Sequence, residues 1–270
     1  MDIRIYVATQ KKIEWDLDTC YVPIYVGAAL KTEKNPYGYC ADNEGTNISL
    51  KNRTFCELTA LYWTWKNSNA DVAGLAHYRR FLSNKRFSTN AQKALGTKEI
   101  YKLMQNYDLI LPKKSCLWGT VKAQYSTGQY AKDYELCREV ISEKYPAYIK
   151  DFDDISNSDA IYICNMFIGK KEIINQYCQW LFDILLELEN RVDISKYSVS
   201  EKRIFGYLSE RLFNVWLRHN QYRICEKYLM NTDTTFMVRV KRFVHLFNYK
   251  VLKIDVMKHA ARRKKKRKSI

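Results

Sequence analysis

No stretch of this sequence reaches the roughly 18 to 20 uninterrupted apolar residues that a membrane-spanning helix needs. Met1-Asp2-Ile3-Arg4 opens directly into a strand-like run, without the pattern of a signal peptide, so the chain is expected in the cytoplasm. Histidine is scarce: the four, at positions 77, 219, 245 and 259, have no zinc-ligand spacing, and the eight dispersed cysteines include no Cys-x-x-Cys pair. Those cysteines read as reduced core thiols. Gly-x-Ser-x-Gly, a phosphate-binding Gly-rich loop and Gly-x-Gly-x-x-Gly are all missing, which weakens hydrolase, kinase and dehydrogenase readings. There is no internal repeat.

What is abundant is positive charge at one end. Thirteen Lys and Arg fall between Arg239 and Lys268 against the single Asp255, so this window carries +12 of the chain's net +16. Phe243, Val244, Leu246, Phe247, Val251, Leu252 and Ile254 are spread among them. A basic amphipathic end of this kind is attracted to an anionic membrane surface, at about 1 kcal/mol per nearby basic residue. The expected organisation is one globular domain, 1–235, and a membrane-associating segment, 236–270, placing the protein peripherally on the inner face of the plasma membrane. With 47% hydrophobic and 27% charged residues over 270 positions, the body can bury a full core.

Periodicity predicts strands at Ile3–Ala8, Tyr21–Val26, Asp71–Ala76, Tyr107–Leu111 and Ala160–Ile168. Helices are predicted from an Asn52 N-cap through Lys66, and over Tyr130–Lys144, Ile173–Leu188 and Arg203–Leu217. Residues 31–49, rich in Asn, Gly and Pro turn formers, read as a long irregular loop. Strands alternating with helices argue for an α/β sandwich with a mainly parallel sheet, whose ligands bind at the carboxyl ends of the strands.

One such end carries His77-Tyr78-Arg79-Arg80. Two guanidiniums and an imidazole there suit an anion such as a diphosphate, although neighbouring strand residues point to opposite faces. A structural Arg pair bonded to Glu57 or to loop carbonyls is the plainer alternative. Asp151-Phe152-Asp153-Asp154 contains an Asp-x-Asp pattern, which in many nucleotide-sugar enzymes holds a divalent cation, Mn or Mg. It follows a helical, Pro-containing stretch rather than a strand, which favours a solvated acidic loop, so no residue is assigned to a metal. Asn165 can offer a donor and an acceptor to a sugar hydroxyl. Arg203, Tyr207 and Glu210 share a helix face, where an Arg203–Glu210 surface pair is the plain reading. Gly206 inside that helix hints at close approach by backbone or ligand.

The run Asn52-Arg53-Thr54-Phe55-Cys56-Glu57-Leu58-Thr59-Ala60-Leu61-Tyr62-Trp63-Thr64-Trp65, then Gly74-Leu75-Ala76-His77-Tyr78-Arg79-Arg80-Phe81, resembles a bacterial family of capsular and exopolysaccharide biosynthesis, of the domain-of-unknown-function type. Asn165-Met166-Phe167-Ile168, Tyr177-Cys178-Gln179-Trp180 and Arg203-Ile204-Phe205-Gly206-Tyr207-Leu208-Ser209-Glu210 resemble its later blocks in the same order, so that the likeness spans residues 2–230. The resemblance implies a GT-A-like nucleotide-diphospho-sugar transferase, with members linked to galactofuranosyl transfer from a uridine diphosphate (UDP) donor. It departs at Tyr130, where the family pattern has a His. On this reading His77, Arg79 and Arg80 hold the donor diphosphate, and Glu210 or Asp133 serves as catalytic carboxylate. Asn165, Glu57, Tyr78 and Arg203 contact substrate. The partners implied are a UDP-sugar, a lipid-linked oligosaccharide acceptor and an anionic membrane. Rival readings are a non-catalytic scaffold of a polysaccharide assembly complex, or a nucleic-acid-binding protein using the basic end; the body shows no nucleic-acid module, and no nucleic acid is expected.

Removing residues 236–270 should release the protein from anionic vesicles in a sedimentation assay. Salt near 1 M, where the Debye length is about 3 Å, should do the same; binding that persists in salt would assign it to apolar insertion by Phe243 and Phe247.

Overall fold

A computed structural model of the chain describes residues 1–32 and 35–233. The basic segment 236–270 therefore lies outside the described residues. The first half comprises β1 (Ile3–Thr9), β2 (Tyr21–Tyr25), β3 (Cys40–Ala41), α1 (Asn52–Phe55), α2 (Leu58–Asn67), β4 (Val72–His77), β5 (Arg80–Ser83), α3 (Thr97–Met104) and β6 (Leu109–Pro112). The second comprises β7 (Ser115–Cys116), α4 (Val121–Tyr125), α5 (Ala131–Lys144), α6 (Ile149–Asn157), β8 (Ala160–Ile161), β9 (Phe167–Lys170), α7 (Lys171–Arg191), α8 (Ile204–Asn220) and β10 (Ile224–Asn231).

The α/β class holds, and the sheet is mixed rather than mainly parallel. β1–β2, β2–β3, β1–β4 and β6–β10 pair parallel, whereas β4–β5, β5–β10, β4–β9 and β6–β9 pair antiparallel. The order is β3-β2-β1-β4-β5-β10-β6-β9, and β9 returns to pair with the first half of β4. The antiparallel component comes from two reversals that hydrophobic periodicity does not register. One is the tight β4–β5 hairpin. The other splits the predicted strand 160–168 into β8, in a separate ribbon with β7, and β9, in the main sheet.

Alternation along the strands feeds two cores. In β1, Tyr6 and Ala8 join Ala73 and Leu75 of β4 beneath α2, α5, α7 and α8. Ile3, Ile5 and Val7 join Val72 and Ala76 on the opposite face, covered by Ile100 and Met104 of α3. Burial on both faces is why β1 and β4 read as nearly unbroken apolar runs. Four of the eight cysteines are buried, and all eight are free thiols.

The predicted helix 52–66 is interrupted at Cys56, whose φ of 54° and ψ of −130° end α1. Asn52 is not an N-cap; its amide instead donates to the Cys56 carbonyl at 2.8 Å and to Thr59 Oγ1 at 3.0 Å, bracing the break. Gly206 packs there: a Cβ on it would lie 3.3 Å from both Cβ and Sγ of Cys56. Its smallness answers to close helix packing. In the loop 31–49, fully buried Asp42 accepts from the backbone N–H of Gly27 (2.8 Å) and Ala28 (3.0 Å), from Thr59 Oγ1 (2.6 Å) and from Ser49, tying the end of β2 to α2.

Gly74 sits where β4 is crossed most closely, since a Cβ there would lie 2.7 Å from the Phe167 carbonyl oxygen and 3.0 Å from side-chain atoms of Ile5 and Ile168. Backbone cannot yield as a side-chain tip can. Gly74→Ala should cost about 1–3 kcal/mol by the overpacking rule, read as a lower urea midpoint at unchanged slope.

Candidate active site

β1, β2 and β4 run parallel and end together, so their carboxyl ends form one rim of the sheet. At that rim β4 reverses at once: His77 pairs directly with Arg80 of β5, and Tyr78 and Arg79 form the hairpin tip. Directly paired residues project to the same face, so the imidazole and one guanidinium sit side by side. β10 braces the tip through the Asn231–Arg80 pairing and a Thr232 N–H bond to the Arg79 carbonyl at 3.0 Å. All four residues of the His77–Arg80 motif line a cavity of ≈ 730 Å³, together with Glu57, Arg203, Tyr207 and Glu210. A second, more apolar lobe of ≈ 650 Å³ runs over the ends of β1 and β2 past Ala8, Val26, Asn52 and Cys56. Glu57, His77, Tyr78 and Arg203 line both lobes, which makes them one cleft.

The cations of this cleft are differently engaged. Arg79 is 46% exposed, forms an ion pair with Asp233 and lies 4.5 Å from the Tyr78 ring centre. Arg80 Nη1 approaches Cys164 Sγ at 3.4 Å, and Arg203 Nε approaches Cys56 Sγ at 3.2 Å. Burial pushes the Cys56 thiol up to about 11, so at neutral pH it is an uncharged acceptor. Neither Arg80 nor Arg203 forms an ion pair among the described residues, so both retain charge for an anionic ligand. Lys11, Arg53 and Lys202 add to the basic lining of the second lobe.

The acidic side is built around a turn at Cys164 and Asn165, with φ of 77° and 49°. Asn165 is 3% exposed and donates to Glu57 Oε1 at 2.8 Å and to the Gly206 carbonyl at 3.2 Å, while Ser209 donates to its Oδ1 at 3.1 Å. The Cys164 N–H donates to Glu210 Oε1 at 2.8 Å, and Arg211 bonds the other Glu210 oxygen at 2.9 Å. Burial raises the Glu210 carboxyl above its ordinary range; Arg211 opposes that shift and Glu57 reinforces it. His77 Nε2 lies 2.7 Å from the Cys164 carbonyl oxygen.

Of the residues singled out from sequence, His77, Tyr78, Arg79, Arg80, Glu57, Arg203 and Glu210 converge on the cleft, with Asn165 buried behind it. The expected Arg203–Glu210 pair is not formed, because Glu210 pairs with Arg211 while Arg203 turns to Cys56 and Tyr207. Asp133 is not among the lining residues: it is 1% exposed in α5, one oxygen accepting from Tyr197 at 2.7 Å and the other without a partner. Tyr130, at the N-terminal boundary of α5, packs against Tyr197 with ring centres 4.5 Å apart.

Asp151, Asp153 and Asp154 lie in helix α6, not in a loop, and pair with Arg218 and His219, with Arg138, and with Lys150 and Arg218 respectively. Among the described residues no three His, Cys, Asp or Glu side chains gather as a metal would require. In the cleft, Glu57, Glu210 and Asp233 already have partners.

Sequence reading missed Cys56 and Cys164, taken for core thiols, and Gln124, Arg211, Asn231 and Asp233. The last two follow from β10, whose partly buried residues show little alternation.

The chain matches the domain-of-unknown-function family DUF4422 over residues 4–221. No curated protein matches it. Among solved structures it is similar to the apo structure of the WbbM bifunctional glycosyltransferase, at 30% identity and a TM-score of 0.80. That likeness covers 87% of this chain and 46% of the other, so the chain spans about half the length of that relative. Among the described residues, no helix is long and apolar enough to cross a membrane.

Burial raises the Asp133 carboxyl above its ordinary range, partly offset by the Tyr197 hydroxyl. A raised acid contributes stability that is present below its unfolded value, about 3.9, and is lost as pH rises through the folded one. Asp133→Asn has no such titration. Its melting temperature should therefore gain on the wild type as pH rises from about 4 to 7; a constant difference would place a counter-charge beside Asp133.

Proposed function

The chain belongs to the DUF4422 family, and we propose that it is a glycosyltransferase taking a hexosyl residue from a UDP-sugar. The observation that carries this reading is the basic cleft at the carboxyl ends of β1, β2 and β4, in a chain whose fold is similar to that of a bifunctional glycosyltransferase. The second lobe, between the ends of β1 and β2 and the helix break at Cys56, suits the flat base and ribose of the donor. Arg80 and Arg203, whose guanidiniums hydrogen-bond to thiols and form no ion pair among the described residues, suit the diphosphate, whose departure needs positive charge fixed in advance. The larger lobe, with Tyr207, Gln124 and Asn231, suits the transferred sugar and the acceptor.

The finer assignment is galactofuranosyl transfer to a lipid-linked oligosaccharide in capsular, exopolysaccharide or O-antigen biosynthesis, on a GT-A-like fold held at an anionic membrane by residues 236–270. It rests on the family resemblance and on the charge of that segment. Against a scaffold role stands the cleft itself, because a surface that only assembles partners has no use for unpaired guanidiniums facing an imidazole.

Thermal unfolding with UDP, its galactofuranose and galactopyranose conjugates and other nucleotide sugars tests the reading. Ligand at 100 times its Kd adds about 2.7 kcal/mol of stability. A shift specific to UDP compounds is expected, insensitive to chelator and lost in Arg80→Ala, whose turnover should fall at least about tenfold, the equivalent of 1.4 kcal/mol. No shift with any nucleotide defeats the reading.

A further inference from the structure

We propose that His77 is the catalytic base of this cleft, taking the proton of the acceptor hydroxyl on Nδ1, rather than a ligand of the donor diphosphate. The inference rests on the glycosyltransferase reading above. The first observation is the 2.7 Å contact between His77 Nε2 and the Cys164 carbonyl oxygen. A carbonyl oxygen only accepts, so Nε2 carries the hydrogen. In the neutral ring the lone pair then belongs to Nδ1, which has no hydrogen-bond partner among the described residues. A ring whose free nitrogen is an acceptor is poorly suited to a diphosphate and well suited to a hydroxyl proton.

The second observation is that the orienting carbonyl cannot drift. Cys164 and Asn165 are held in the left-handed region by bonds from Cys164 N–H to Glu210, from Asn165 to Glu57 and to the Gly206 carbonyl, and from Ser209 to Asn165. This is the arrangement of a base oriented by a third group, with a peptide oxygen in the place of a carboxylate. The third observation is the state of the alternatives. Both Glu210 oxygens are bonded, Glu57 is tied to Asn165, Asp233 to Arg79, and Asp133 lies outside the cleft.

The step balances without a further reactant. The acceptor oxygen forms a bond to the anomeric carbon as the bond from that carbon to the diphosphate oxygen breaks, and its electron pair leaves with UDP. The hydroxyl proton passes to Nδ1, and the imidazolium later returns it to water. Glu57, Glu210, Arg80 and Arg203 line the cleft around the ring, and the two guanidiniums favour the departing diphosphate.

The test compares wild type with His77→Gln, whose amide can still donate to the Cys164 carbonyl, and with His77→Asn should the first variant fold poorly. UDP release from UDP-galactofuranose is followed, with an alkyl galactoside or water as acceptor, against pH, beside the thermal shift given by UDP. Expected are an unchanged UDP shift, kcat lower by about 100-fold or more, and loss of the acid limb of the kcat/KM profile. Turnover within tenfold of wild type, a retained acid limb, or loss of the UDP shift would each overturn the assignment, the last by making His77 a donor ligand. Wild type inert towards every nucleotide sugar would instead fail the glycosyltransferase reading, and this inference with it.

Discussion

Two adjacent non-glycine residues in the left-handed region, Cys164 and Asn165, are the constraint on which the cleft depends. Such a conformation costs on the order of 1–2 kcal/mol for a residue bearing a Cβ, less for Asn than for Cys. It persists only where surroundings over-determine it. Here they do: the Asn165 amide reaches the α1–α2 break through Glu57 and α8 through Gly206 and Ser209, and the Cys164 N–H reaches Glu210. One buried turn thereby registers a strand, two helices and the end of β4 against each other. The same bend splits one apolar stretch into β8 and β9 and lets β9 run antiparallel to β4.

The break at Cys56 is the counterpart on the other side of the cleft. A continuous helix from residue 52 would not turn Glu57 towards Asn165 as this break does. Gly206 lets α8 close on the break, and that approach sets Arg203 against the Cys56 thiol. The choice of a thiol has a consequence. The thiol is a weak acceptor and carries no charge at neutral pH, so it does not neutralise the guanidinium as a carboxylate would. An Arg held by an un-ionised thiol is positioned with little of its charge consumed.

Much of the fold and site was legible, and the rest was not for identifiable reasons. β1, β2 and β4 declared themselves by apolar runs buried on both faces, and α5, α7 and α8 by helical periodicity. The His77–Arg80 motif was legible as chemistry but not as geometry, because strand alternation alone would separate Arg79 from Arg80. The two-residue hairpin that unites them has neither Gly nor Pro to signal it. The break at Cys56 and the left-handed Cys164 likewise fall on residues without local turn preference, and both are held by partners distant in sequence: Gly206 and Arg203 against Cys56, and Glu210 and Glu57 against the Cys164–Asn165 turn. Asp133 entered as a candidate carboxylate through the family resemblance, and the helix buries that position beneath Tyr197, away from the cleft lining.

The three guanidiniums of the cleft should not contribute equally to anion binding. Arg79 meets Asp233 with the two side chains 46% and 44% exposed, and exposed pairs contribute about 0–1 kcal/mol. An entering diphosphate can displace that carboxylate at small cost, but it then gains only the difference between two screened contacts. Arg80 is partly buried, and the guanidiniums of both Arg80 and Arg203 lie against sulfur rather than oxygen. For Arg80, an arriving phosphate oxygen would replace a weak, uncharged acceptor with an ionised one in a partly buried site, whereas Arg203 is exposed and would gain less from the same exchange. On the proposed donor reading, the motif's first arginine would therefore matter least to anion binding and Arg80 most, with Arg203, just before α8, between them.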